Sequence, residues 1–397
     1  MAQWDALVDA ALARLASRSL LRATRPIALA PPPAPPETFP CPGPWDRAAV
    51  EIRLDRATLH QWLAEGGEGS GQEEKVDEKL ILFSGNDYMG LSSHPAIRHA
   101  AVKAAEEYGM GPRGSALICG YTTYHKMVEE SLAELKKKED CLLCPTGFSA
   151  NMAVMTALGN ISSLLAAGRK PAEDERIAIF SDALNHASII DGIRLVERQQ
   201  EVVSFVYKHC DMSHLELLLL FSMDGDFAPL PELVKLRRKY GFLLVIDDAH
   251  GTLVCGENGG GAPELFECEN EIDISVGTLS KAAGCQGGFI ACSTRWKRLI
   301  QSRGRSFIFS TALPVPVVAS VYVGSEKAAL RAGRDMLRSG FHVTPIRPPT
   351  VPPNSCRLRI TLSASHSSDD IKRLVDALTP WLPHKHDIQI YAVASKL

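Results

Sequence analysis

Short apolar runs recur along the chain, and each ends on a polar or glycine-bearing tip. Phe242-Leu243-Leu244-Val245-Ile246 stops at Asp247-Asp248-Ala249-His250-Gly251, and Ile272-Asp273-Ile274-Ser275-Val276 leads into Gly277-Thr278-Leu279-Ser280-Lys281. Ile177–Phe180 precedes Ser181-Asp182-Ala183-Leu184-Asn185-His186, Cys141–Cys144 precedes Pro145-Thr146-Gly147-Phe148, and Leu80–Phe83 precedes Ser84-Gly85-Asn86-Asp87-Tyr88. Unbroken runs of this length with β-branched residues predict strands covered on both faces, as in a mainly parallel sheet. His94 to Tyr108 predicts a helix that stops at Gly109. The pattern is that of an α/β fold, in which ligands bind beyond the carboxyl ends of the strands.

The tips therefore carry the candidate chemistry. An aspartate on one tip and a lysine beside small residues on the next fit pyridoxal phosphate (PLP). Lys281 is the Schiff-base lysine, and Asp247 sits on the pyridine nitrogen, where a carboxylate favours the protonated ring and a better electron sink. Gly284, Gly287 and Gly288 leave room beside the ring, and His250 suits its hydroxyl edge. The turn Pro145–Asn151 opens a helix, so its free N–H groups form an anion site; Gly147 and Phe148 are assigned to the cofactor phosphate, with Thr278 assisting. A strand ending in Asp-Asp, or a lone Thr-x-Ser-Lys, is also an ordinary surface feature; their succession carries the reading. Gly109-Met110-Gly111-Pro112-Arg113-Gly114 is spelled like a dinucleotide loop, but a helix precedes it and proline interrupts it, so it reads as a helix stop. Cys141-x-x-Cys144 lacks a second pair and lies in a strand-like run, so it reads as two buried thiols rather than zinc ligands. No metal site is expected.

Asp247–Gly251, Gly277–Lys281, Phe221-Ser222-Met223-Asp224-Gly225-Asp226 and Asn86-Asp87-Tyr88 together resemble the α-oxoamine synthases, fold-type-I PLP enzymes that condense an amino acid with an acyl-CoA. Ile346-Arg347-Pro348-Pro349-Thr350-Val351-Pro352 looks most like the branch that joins L-alanine to pimeloyl-CoA. The resemblance implies a large PLP-binding domain over 80–312 and a small α+β C-terminal domain over 313–397, after an N-terminal region 1–79. It implies that His186 stacks on the ring and orients the amino acid, that Ser222 joins His250 at the hydroxyl edge, and that Arg347 holds the substrate carboxylate, with Arg359 a weaker match. Arg22, Asn86 and His125 are carried to the substrate mouth. Phe307–Thr311 resembles a segment that completes the partner subunit's phosphate site, so Thr311 is expected at a homodimer interface. A glycine- or serine-using member of the family, or a non-catalytic isoform, stands beside this reading.

The composition changes the picture little. The chain has 397 residues, 45% hydrophobic and 22% charged, with net charge -3 and ten irregularly spaced cysteines. That is room for two domains with reduced core thiols, and no footprint for nucleic acid or a membrane. Residues 4–22 have helical apolar spacing with arginines; Asp5 and Asp9 argue for a structural helix over a transit peptide. A proline-rich linker follows over Ala30–Trp45, and a flexible insert over Gly66–Gly71. Ser395-Lys396-Leu397 spells a receptor-read peroxisomal address, with the cytosol as the alternative. Two departures stand out: an interior strand expected before Phe221 is missing, and several dozen residues are missing near Ala328–Arg331. Loss of such a strand costs on the order of 10 kcal/mol in buried side chains.

Overall fold

The structure is a computed structural model. It describes residues 2–17, 28–29, 50–53, 79–322 apart from 84, 168 and 220–228, the segments 344–346 and 357–359, and a few isolated positions. Arg22, Ser222, Arg347, the proline-rich linker, the glycine-rich insert, both expected gaps and the C-terminal tripeptide lie outside the described residues. The chain divides into two compact units, 1–31 with 51–82 and 32–50 with 83–397. The first contains helix α1 (Ala2–Ser17) and strands β1 (Ala28–Leu29), β2 (Glu51–Arg53) and β3 (Lys79–Ile81), which pair antiparallel in that order. The helix forms where the apolar spacing predicts one, and Leu7, Val8, Leu12 and Leu15 on it are exposed.

The second unit holds the α/β core. Strands β4 (Asp140–Cys144), β9 (Gly288–Cys292), β8 (Ile274–Thr278) and β7 (Val245–Asp247) neighbour one another in that order. β7 and β8 are parallel and β9 opposes both its neighbours, so three of the four strands run one way and β9 alone is reversed, as a mainly parallel sheet with one antiparallel strand allows. The reversal comes from the loop after Lys281, which folds back so that Leu279 N–H donates to the Gly287 carbonyl. β5 (Ile177–Asp182) and β6 (Val202–Tyr207) form a separate parallel ladder. Only the last part of the predicted Phe242–Ile246 strand joins a ladder, because pairing with β8 begins at the Leu244 carbonyl.

Helices cover the sheet: α2 (Pro95–Tyr108), α3 (Thr123–Leu135), α4 (Gly147–Leu165), α5 (Ala187–Arg198), α6 (Met212–Leu219), α7 (Leu230–Tyr240), α8 (Thr294–Arg303) and α9 (Val315–Tyr322). α2 is capped by His94 and stops at Gly109, whose φ of +76° is open to glycine at little strain. α4 is long and apolar enough to cross a membrane by composition. It instead lies at the centre of the core, with Ala150, Ala153, Val154 and Ala157 packed among Leu142, Ile274, Val276 and Ile290. Such a helix, apolar on most sides, is a buried helix of a globular core. Cys141 and Cys144 are buried in β4, and burial pushes both thiols up, which fits inert core cysteines.

A cavity of about 530 Å³ separates the two ladders. Every residue from Ile177 to Asp182 lines it, as does every residue from Phe242 to Asp248. Consecutive strand residues point to opposite faces, so a void touched by all of them lies against strand edges rather than one face. Among the described residues β5 pairs only with β6, and β7 only with β8. Met212 and Leu215 of α6 and Leu230 and Leu233 of α7 line the same cavity. Among the described residues no strand pairs with β5 or β7 across it.

Candidate active site

Asp247 ends β7, Thr278 ends β8, and His186 follows the end of β5. β9 runs the other way, so its first residue, Gly288, lies at this same end, and a Cβ there would sit 2.3 Å from the Thr146 carbonyl oxygen. The sheet thus gathers four tips at one place.

The turn into α4 is a cradle for an anion. Thr146 caps the helix: its hydroxyl accepts the Ser149 N–H at 3.0 Å, and its carbonyl accepts the Ala150 N–H. The Gly147 and Phe148 N–H groups precede these and find no partner within the helix, as first-turn donors do not. A Cβ on Gly147 would lie 3.1 Å from Thr278, so a side chain there would press the two tips apart by a few tenths of an ångström. Thr278 stands against this turn, with its hydroxyl engaged by Ser280 Oγ and the Gly287 carbonyl.

Asp247 faces the site while its neighbour Asp248 faces the interior, as strand alternation dictates. The Asp247 carboxylate accepts Asn151 Nδ2 at 2.8 Å and the Ala249 N–H at 3.1 Å. Asn151, buried on α4, also donates to Ser188 Oγ at 2.9 Å, and Ser188 Oγ bonds His186 Nδ1 at 2.7 Å. One network therefore orients the aspartate and the histidine together. His186 caps α5, and the Phe148 ring stands edge-on to it at 6.5 Å. On the other side, Lys281 Nζ lies 2.9 Å from His250 Nε2, and His250 Nδ1 lies 2.7 Å from the Tyr88 hydroxyl. The Tyr88 hydroxyl reaches Asn86 Oδ1 only at 3.5 Å.

Lys281, His250, Asn86, Asp247, His186, Gly147, Phe148 and Thr278 are thus placed by the fold at the ends of its strands. Asn151, Ser188 and Tyr88 are additions. Asn151 has no sequence signal of its own beyond closing the Pro145–Asn151 turn, and Tyr88 lies within the Asn86–Tyr88 motif. Thr311 is exposed, next to Phe309 at 72% exposure.

His125 is a correction. It is 2% exposed, its Nε2 bonds the Leu313 carbonyl at 3.0 Å, and its Nδ1 bonds the Thr122 hydroxyl at 2.8 Å. Both ring nitrogens serve the cap of α3 and the tie to Leu313, which leaves neither for substrate. Burial holds its pKa below the ordinary 6.5, so the folded state keeps the ring neutral. A depressed histidine gives stability that is present above the unfolded pKa and lost as pH falls through the folded one. Denaturant melts from pH 7 down to 5 should show this acid-side loss, and the loss should shrink in His125→Gln.

The residues fit PLP on structural grounds: an anion cradle with orphan N–H groups, a carboxylate fixed by an amide, and a lysine amine; Gly284, Gly287 and Gly288, expected to leave room beside the ring, instead admit close contacts with Ser92, Leu313 and the Thr146 carbonyl. The comparisons agree. The family model for aminotransferase class I and II matches residues 78–322. An 8-amino-7-oxononanoate synthase of Arabidopsis thaliana is 53% identical, with 96% of this chain and 95% of the relative covered. That share of 397 residues is about 381, against 456 aligned positions, so about 75 positions are filled by the relative alone. The serine palmitoyltransferase of Sphingomonas wittichii superposes with TM-score 0.65 at 25% identity, covering 82% of this chain and 97% of its own. A serine palmitoyltransferase solved with its PLP internal aldimine gives TM-score 0.66 at 23% identity, covering 82% and 96%, which bears on the fold. The chain belongs to the aminotransferase class I and II family, and within it to the α-oxoamine synthases.

Proposed function

We infer that this chain is a PLP-dependent acyltransferase that joins L-alanine to pimeloyl-CoA, giving 8-amino-7-oxononanoate, CoA and CO2, a step of biotin synthesis. The observation that carries the reading is the convergence of Lys281, Asp247 and the Gly147–Phe148 cradle at one end of the sheet, in a chain 53% identical to such a synthase.

The bound cofactor supplies an electron sink for the carbanion formed at the amino acid α-carbon. The chain's own groups do the rest. Lys281 Nζ holds the cofactor and moves the proton at the substrate α-carbon, being the basic group that reaches this place. His250 and Tyr88 position that amine through the contacts at 2.9 and 2.7 Å. Asp247 keeps the ring nitrogen protonated, and Asn151 fixes the carboxylate so that it needs no reorganisation when charge develops. His186, held by Ser188, covers the ring face. Arg347 pairs with the substrate carboxylate, for which a guanidinium fork is suited, and Ser222 serves the hydroxyl edge.

Initial rates with pimeloyl-CoA should be high with L-alanine and low with glycine or L-serine. Preference for serine or glycine would move the chain to another branch of the family.

The assembly is a homodimer in this proposal. Phe309, Met110 and Ile118 are 69–83% exposed, and the Ala312 N–H bonds the Gly114 carbonyl, so the two segments lie side by side. An apolar patch of this kind suits a subunit interface, and Thr311 is within it. Ser395-Lys396-Leu397 is read as the address that delivers the protein to the peroxisomal import receptor. A fluorescent fusion should be punctate in cells with this tripeptide and diffuse without it; the same pattern in both would place the protein elsewhere.

A further inference from the structure

The mechanism leaves one buried ion pair unused. Lys136 caps the end of α3, and its side chain is 1% exposed. Its ammonium donates to Asp248 Oδ2 at 2.6 Å, Thr252 Oγ1 at 2.8 Å and the Gly260 carbonyl at 2.9 Å, so three protons meet three acceptors. The second Asp248 oxygen accepts the Ala262 N–H at 3.2 Å. The loop from 248 to 262 wraps tightly around this pair. A Cβ on Gly251 would lie 2.2 Å from Asp248 Oδ1, and one on Gly261 would lie 1.7 Å from Asp248 Oδ2 and 2.9 Å from Lys136 Nζ. Gly261 has φ +92°, which side chains rarely adopt.

This loop begins one residue after Asp247 and carries His250 to Lys281. Most of it contains no strand or helix to fix its course. A buried ion pair adds little stability over apolar residues of the same volume; here its hydrogen bonds tie Asp248, Thr252, Gly260 and Ala262 to one point. From this geometry we propose that Lys136 is a positioning residue: through Asp248 it sets where Asp247 and His250 stand toward the cofactor. The inference rests on the PLP reading above. No contact of Lys136 with cofactor or substrate is involved.

The test compares the full chain with Lys136→Met and with the double variant Lys136→Met, Asp248→Leu. The single variant strands a buried carboxylate, so its melting point falls, and it serves to show that the pair is formed. The double variant removes the stranded charge and should recover part of the melting temperature, the Gly260 carbonyl and the Ala262 N–H being left without these partners. It should nonetheless bind PLP about tenfold or more weakly, since displacing a site group by ~1 Å has effects of that size or larger. The pH at which the visible band of lysine-bound PLP titrates should also move, and amides of Gly251–Gly261 should exchange faster in the cofactor-free chain. Wild-type affinity, wild-type band titration and wild-type exchange in the double variant would overturn the proposal and leave the pair a stability element only. If the unmodified chain forms no visible band, the PLP reading fails separately, and the exchange rates in the cofactor-free chains still decide whether the pair holds the loop.

Discussion

Lys281→Ala is expected to abolish condensation, with turnover falling by about four orders of magnitude or more, because it removes both the covalent anchor and the base in one step. The side chain has no substitute at its place. Among the described residues at hydrogen-bonding distance from its amine is His250, which is itself tied to Tyr88. The variant should still bind PLP weakly, since the Gly147–Phe148 cradle and Asp247 remain. Steady-state rates with L-alanine and pimeloyl-CoA, and equilibrium dialysis with PLP, separate the two effects. Turnover within tenfold of the unmodified chain would remove Lys281 from the mechanism.

The second large effect concerns stability. The void of about 530 Å³ leaves the edges of β5 and β7 without a strand partner among the described residues, and a whole domain has only ~5–15 kcal/mol to lose. The chain is therefore expected to unfold in far less guanidinium than the Arabidopsis relative measured beside it. Amides along β5 and β7, which face the cavity, should exchange faster than those of β8 and β9. Equal midpoints and full protection of Ile177–Asp182 would mean that the space between the ladders is filled in solution. The same void gives the non-catalytic reading its substance, since β7 carries Asp247 at the cavity wall.

Much of this was legible in the sequence because apolar runs ending at polar tips are a direct imprint of an α/β sheet. Val245–Ile246 with Asp247, Ile177–Phe180 with His186, and the Thr146–Gly147 turn lie where the pattern puts them, while Phe242–Leu244 stay outside the ladder. The direction of β9 was not legible, because strand polarity depends on where the loop after Lys281 folds back, and no periodicity encodes that. The role of His125 was misjudged for a related reason. A histidine after a glycine-rich loop looks the same in sequence whether its ring faces substrate or the Leu313 carbonyl; only packing decides. Asn151 was passed over because a single amide within a core helix has no pattern of its own, and its partners, Asp247 and Ser188, are distant in the chain. The expectation of a strand lost before Phe221 falls outside the described residues; among those described, β5 and β7 face each other across the void without pairing.

The central claim is that Lys281 and its neighbours form a working PLP site despite the divided sheet. Its most direct test is the visible absorbance of the purified chain with added PLP, before and after L-alanine, alongside Lys281→Ala. The account predicts a band that depends on Lys281 and changes when L-alanine is added. A soluble, folded chain with no such band would contradict it, and would leave a protein that keeps the motifs of a synthase without its cofactor.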